Sequence, residues 1–136
     1  MSTKILYTAH MHTSSGREGS ARSSDGALDV KLSTPGSNRP GTNPEQLFAA
    51  GWSACFLSAI GAVAASRKLR VPEGSAVDTE VDLGQGDDGY SLRARLHVSL
   101  PGLDKETAQA LVDGAHLTCP YSKAVRGNID IETTLA

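Results

Sequence analysis

The absences in this sequence narrow its possible roles considerably. It has two cysteines in 136 residues, and they form neither a CxxC pair nor a Cys/His cluster at zinc-binding spacing, so no structural metal site is expected. The formal net charge of −2 gives no reason to expect nucleic acid, and no Lys/Arg cluster suggests an anionic membrane as a partner. The N-terminus lacks the basic-then-apolar pattern of a secretory signal, so the expected location is cytoplasmic. In a reducing compartment a disulfide between the two cysteines would be catalytic rather than structural. No repeat, low-complexity tract or linker divides the chain. A single domain, residues 1–136, is expected, long enough to bury a core.

Charge is also missing from one long internal stretch: no residue from Leu47 to Ala65 carries one. Asn43-Pro44-Glu45 before it reads as a helix start, with an N-cap, Pro at the first helical position and an acid in the first turn. Leu47, Phe48, Trp52, Phe56, Leu57, Ile60 and Val63 do not keep to one stripe, and a helix apolar all round is expected to be buried on all sides. One row of it is small, with Ala50, Ala54, Ser58 and Ala62 recurring every turn. The run is long enough to ask whether it spans a membrane. Its Ala/Gly/Ser richness and the amphipathic elements on both sides favour a buried helix of a globular protein. Cys55 stands near its middle.

Around this helix the pattern is mostly of strands. Ile5, Tyr7, Ala9 and Met11 alternate with Leu6, Thr8, His10 and His12, a period-two strand with one apolar face; the two histidines are read as solvated, with no third metal ligand in view. Gly16-Arg17-Glu18-Gly19 marks a turn that presents Arg17 beside a strand. Leu28, Val30 and Leu32 form another strand after the turn Ser23-Ser24-Asp25-Gly26, and a Pro/Gly/Ser/Asn-rich loop leads into the central helix. Beyond the helix, Val77–Leu83 and Tyr90–Val98 alternate across a glycine-rich turn as a hairpin, with acids on the outer face of one strand and bases on the other, able to pair across it. Asp104 caps a second helix with the apolar stripe Ala108, Leu111, Val112 and Ala115. Cys119 continues that stripe. Pro120 disfavours helix at Cys119 and starts a new turn, which would set the sulfur at a helix N-terminus, where thiol pKa falls. Ile129 and Ile131 lie on a last strand. The order β-β-β-α-β-β-α-β describes an α+β fold with a mainly antiparallel sheet on which helices pack.

Chemistry points to the cysteines, with an alternative beside it. Free Cys is commonly a small core hydrophobe, and both fall on buried helix faces. A thiol on each of the two main helices is also what a peroxidatic and resolving pair requires. A buried thiol must become thiolate to attack, and so needs a cation beside it. Arg17 is the candidate, since guanidinium keeps its charge when partly desolvated, and Glu45 is the acid nearest the apolar run that could hold it. Glu45 and Cys55 would stand about 15 Å apart along one helix, facing roughly 80° differently, so Glu45 acts through Arg17 or across a subunit interface. A single sheet covers only one side of so apolar a helix, which favours a dimer. His116, just before Cys119, is read as structural.

Asn43-Pro44-Glu45-Gln46-Leu47-Phe48-Ala49-Ala50-Gly51-Trp52-Ser53-Ala54-Cys55-Phe56 resembles the central motif of the organic hydroperoxide resistance (Ohr) family, within the OsmC/Ohr superfamily. Ala115-His116-Leu117-Thr118-Cys119-Pro120-Tyr121-Ser122 with Arg126-Gly127-Asn128-Ile129 is similar to its second motif. Gly16-Arg17-Glu18-Gly19, and Ser23-Ser24-Asp25-Gly26 followed by Leu28–Ser33, resemble its N-terminal part. Trp52 stands where many members carry Tyr, a change expected in the pocket wall. The resemblance implies an OsmC-like fold, in which an intertwined homodimer has the central helices in the middle, sheets around them, and active sites at the subunit interface. It implies a thiol-dependent peroxidase in which Cys55 is peroxidatic, Cys119 resolving, Arg17 holds the thiolate and Glu45 orients Arg17. Organic hydroperoxides (alkyl, aryl or fatty-acid) are the implied substrates. An external dithiol, dihydrolipoamide or a lipoylated protein, is the implied reductant, and no bound cofactor or metal is called for. Three other readings stand beside it: an OsmC-type peroxidase of broader substrate range, a non-enzymatic redox-sensing or ligand-binding protein, and a domain with two inert core cysteines.

Overall fold

The computed structural model describes residues 2–136. In chain order it contains β1 (Met11–Ser14), a one-turn 3-10 helix (Gly16–Glu18), β2 (Ser20–Ser23), β3 (Asp29–Lys31), α1 (Pro44–Ser66), β4 (Ala76–Gly86), β5 (Gly89–Ser99), α2 (Lys105–Thr118), α3 (Pro120–Val125) and β6 (Asp130–Leu135). This is the expected α+β order, with the short helix expected from Pro120 present as α3. The strands form two three-stranded sheets, β1-β2-β3 and β4-β5-β6, rather than one. The chain groups into two compact units, one ending at Leu47 and the other running Phe48–Ala136, and α1 begins in the first and continues in the second.

The first unit is an antiparallel meander. β1 pairs with β2 from Met11↔Ser23 to Ser14↔Ser20, and β2 with β3 from Ser20↔Lys31 to Arg22↔Asp29. The strand expected from Ile5 onward is shorter than its alternation implied. Ile5, Leu6 and Tyr7 are 72%, 87% and 78% exposed, and no strand is assigned before Met11 among the described residues. Alternation shows that a segment could cover a core; a strand also needs a neighbour to take its hydrogen bonds, and β2 pairs no further than Met11.

The second unit holds the main core. β4 and β5 pair from Ala76↔Ser99 to Gly86↔Gly89, closed by the two-residue turn Asp87-Asp88. β6 returns parallel to β5, from Arg93↔Asp130 to Val98↔Leu135, because α2 and α3 form the crossover that a parallel pair needs. On β5 the expected alternation holds: Ala94, Leu96 and Val98 are buried, while Arg95 on the outer face donates to Asp82 at 2.8 and 2.9 Å and to Glu80 at 3.3 Å.

α1 is capped by Asn43, whose Oδ1 accepts the Gln46 N–H at 2.9 Å. Trp52, Phe56, Ala59, Ile60 and Ala64 are its buried residues and share one face, meeting Leu96, Val98, Leu111, Val112 and Ala115 in a common cluster. Each large side chain so buried is worth about 1.5–3 kcal/mol. Burial on all sides does not occur: the small row Ala50, Ala54, Ser58 and Ala62 is exposed, because one sheet and one helix cover one face. The helix is long and apolar enough to cross a membrane by length and composition, yet its large apolar side chains pack in this core. α1 and α2 approach closely at Gly114, where a Cβ would lie 2.9 Å from Val63 Cγ1.

Candidate active site

Arg17 is set by the backbone of the first unit. Ser15 and Gly16 both have φ of 60°, a left-handed pair that reverses the chain out of β1. Gly19 leaves no room for a side chain, since a Cβ there would sit 1.7 Å from the Ser14 carbonyl oxygen. Next to Arg17, Glu18 turns toward the following loop, where it pairs with Arg39 and accepts from the Thr34 N–H and hydroxyl. Arg17 itself donates through both terminal nitrogens to the two oxygens of Glu45, each at 2.8 Å. This is the parallel two-bond fork that guanidinium and carboxylate geometry favours. The Arg17 side chain is 41% exposed and that of Glu45 15%. The hydrogen bond and charge of Arg17 hold the Glu45 carboxyl below its ordinary value, against a smaller opposing effect of burial. The pairing that the sequence offered between these two residues is therefore present.

The second unit brings the two thiols together. Cys55 lies on α1, partly covered, and Cys119 is buried; both are free. Cys119 ends α2, its N–H bonded to the Ala115 carbonyl at 2.7 Å, and serves as N-cap residue of α3 with extended φ −66°, ψ 121° and Pro120 following. Burial pushes the Cys55 thiol above its ordinary value, and the hydrogen bond and charge of the neighbouring Cys119 push it further. The Tyr121 backbone N–H, aimed at the Cys55 sulfur, acts the other way. That donor was not singled out in the sequence. The signal for it was Pro120: a helix starting there leaves the next N–H groups without intrahelical acceptors and free to face an anion.

Phe48, Trp52 and Tyr121 form an aromatic cluster. Phe48 lies 5.4 Å from Trp52 and 6.5 Å from Tyr121 by ring centroids, and the Tyr121 ring lies over Gly51, where a Cβ would come within 3.3 Å of its hydroxyl. Gly51 stands one turn before Cys55, so the ring covers that side of the helix. Trp52 is not a pocket wall as expected. It is fully buried, with its indole N–H donating to the Ser122 hydroxyl at 3.0 Å. A buried indole needs such an acceptor. Arg126 donates to the His116 carbonyl at 2.9 Å near the end of α2. Among the described residues no group of three or more His, Cys, Asp or Glu side chains converges as a metal site.

The second unit holds two neighbouring free thiols, and each unit carries one three-stranded sheet. A family model described as OsmC-like protein matches residues 34–134. The chain is 54% identical to the organic hydroperoxide resistance protein of Xanthomonas axonopodis pv. citri, over 98% of this chain and 96% of that one. Its fold matches the crystal structures of the organic hydroperoxide resistance protein OhrB of Bacillus subtilis (TM-score 0.91, 40% identity, 97% of this chain and 100% of that one). It also matches an organic hydroperoxide resistance protein of Legionella pneumophila (TM-score 0.91, 42% identity, 98% and 99%). The chain belongs to the OsmC-like family, in its organic hydroperoxide resistance branch.

Proposed function

We propose that this protein is a thiol-dependent peroxidase that reduces organic hydroperoxides to alcohols. The observation that carries the reading is the Cys55–Cys119 pair, two free thiols, one on α1 and one at the α2–α3 junction, close enough that Cys119 raises the Cys55 pKa. The names of its relatives supply the substrate class.

In the proposed cycle the Cys55 thiolate attacks the terminal oxygen of ROOH. The O–O bond breaks, ROH leaves after taking a proton, and Cys55 becomes a sulfenic acid. Cys119 then condenses with it, forming a disulfide and releasing water. A dithiol, dihydrolipoamide or a lipoylated protein, restores both thiols by exchange and leaves as its own disulfide. No bound metal or organic cofactor takes part. The Cys55 environment explains why a cation is required: burial and Cys119 both disfavour the thiolate. The proposed cation is Arg17, held by Glu45, which stabilises the thiolate and the charge developing on the leaving oxygen. Apolar and aromatic neighbours suit alkyl, aryl and fatty-acid peroxides better than hydrogen peroxide.

The proposed working unit is a homodimer. Its support is the exposed apolar surface of one chain, namely Ile5, Leu6 and Tyr7 ahead of β1 and the small-residue row of α1. A second copy of the chain would cover both, and light scattering after gel filtration tests this, a monomeric mass counting against it. The activity test is turnover of cumene hydroperoxide against hydrogen peroxide with dihydrolipoamide or a monothiol as reductant. Fast turnover of the organic peroxide with the dithiol alone is expected. Both thiols remaining free after peroxide treatment would return them to the role of core residues.

A further inference from the structure

His116 takes no part in the chemistry above, yet both of its ring nitrogens are engaged. Nδ1 is 3.0 Å from the Ser122 hydroxyl and Nε2 2.8 Å from the Thr133 hydroxyl. Its ring packs on Phe56 with centroids 4.6 Å apart. Ser122 is 1% exposed, and the same hydroxyl receives the Trp52 indole N–H.

The direction of each bond follows from the indole, which can only donate, and from the buried Ser122 proton, whose one acceptor among the described residues is His116 Nδ1. Ser122 Oγ accepts from Trp52, and its single proton goes to His116 Nδ1. Nδ1 is then unprotonated, so the neutral ring carries its proton on Nε2 and donates it to Thr133. An imidazolium would donate at both nitrogens and face the Ser122 hydroxyl with a second donor, leaving that buried proton without its acceptor. Burial lowers the His116 pKa, Asp113 opposes this, and Arg126 adds to the lowering.

The chain of bonds thus runs from α1 (Trp52) through α3 (Ser122) and α2 (His116) to β6 (Thr133). Two of these elements present the sulfurs. Cys55 lies on α1 between Trp52 and Phe56, and Cys119 is the residue from which α3 starts. We propose that His116 is a positioning residue for disulfide formation: its neutral ring pins Ser122, and with it α3, so that Cys119 is presented to oxidised Cys55. This rests on the reading of Cys119 as the resolving thiol. The step served is Cys55–SOH plus Cys119–SH giving the disulfide and water; the S–S bond forms, the S–O bond breaks, and the thiol proton leaves with the hydroxyl.

The experiment uses the full-length protein, oxidised with one equivalent of cumene hydroperoxide, following loss of the Cys55 thiol and formation of the disulfide separately. In His116→Leu the Cys55 thiol is lost at the wild-type rate, while the disulfide forms about tenfold more slowly or worse and the Cys55 sulfenic acid accumulates. His116→Asn sets an amide oxygen where Nδ1 stood and recovers disulfide formation to within about threefold of wild type. Trp52 is the sole tryptophan, so its indole N–H resonance reads the network directly, moving in His116→Leu and staying near its wild-type position in His116→Asn. Disulfide formation at the wild-type rate in His116→Leu, equal slowing of both steps, or no recovery with Asn overturns the proposal. If His116→Leu does not fold, Ser122→Ala carries the same test, with slow disulfide formation expected and a wild-type rate overturning it. A wild-type protein that forms no Cys55–Cys119 disulfide removes the underlying reading instead, and that is seen before any His116 variant is made.

Discussion

The two residue pairs of the proposed cycle are held by opposite means. Arg17 and Glu45, in the first unit, are held by charge and backbone shape, through a left-handed turn, a glycine with no space for a methyl group, and a two-bond ion pair. Cys55 and Cys119, in the second, are held by packing, on helices whose large side chains fill one core. The difference follows from solvation. A guanidinium and a carboxylate cannot be buried cheaply and are oriented near water by their own hydrogen bonds. A thiol tolerates an apolar setting, so its position can be fixed by neighbours, at the cost of a raised pKa.

Removing the reacting sulfur tests the comparison most severely. Cys55→Ser is expected to bring peroxide consumption down to background with the fold intact, measured by peroxide loss beside circular dichroism. Cys119→Ser is expected to allow one oxidation and then stall, with mass spectrometry showing sulfinic and sulfonic forms of Cys55 in place of the disulfide. In the charged pair, Arg17→Ala is expected to slow Cys55 oxidation about a hundredfold, the scale of losing a donor to developing oxyanion charge. It should also move the pH–rate profile upward, because attack needs the thiolate and the remaining surroundings raise the thiol pKa. An unchanged rate and profile would show that the thiolate has another partner.

Backbone changes give smaller effects that separate the units. Gly19→Ala should distort the Arg17 turn and slow oxidation while leaving the indole environment of Trp52 unchanged. Gly114→Ala forces Val63 to shift and is expected to cost about 1–3 kcal/mol in stability, read by denaturant unfolding, with Arg17 still paired. Smallest is the stability effect of Glu45→Gln, about 0–1 kcal/mol for a pair whose guanidinium is well exposed. The Glu45 pKa is depressed by Arg17, so this contribution is complete above the ordinary carboxylate value and fades as pH falls through the depressed one. The wild type and Glu45→Gln should therefore differ in stability near neutral pH and converge in acid.

Local chemistry was legible in the sequence wherever it depends on neighbours along the chain. The Asn43 cap, the Asp104 cap with its bond from the Thr107 N–H at 3.0 Å, the helix begun by Pro120, and the charged outer face of the β4–β5 hairpin are all set within a few residues or across one tight turn. The pairing of Arg17 with Glu45 could be offered from residue types, because a partly desolvated guanidinium needs a carboxylate. Alternation misled at Ile5–His10, where the pattern was present and no strand formed.

What residue order determined by itself is the set of elements and the two thiols on apolar helix faces, since periodicity, caps and proline act locally. Only the tertiary structure decided that β6 lies parallel to β5, that α1 buries one face and leaves its small row exposed, and that Trp52, Ser122, His116 and Thr133 share one run of hydrogen bonds. Those outcomes depend on which surfaces meet across long stretches of chain. A buried hydroxyl or ring nitrogen finds its partner only after packing has brought the two together.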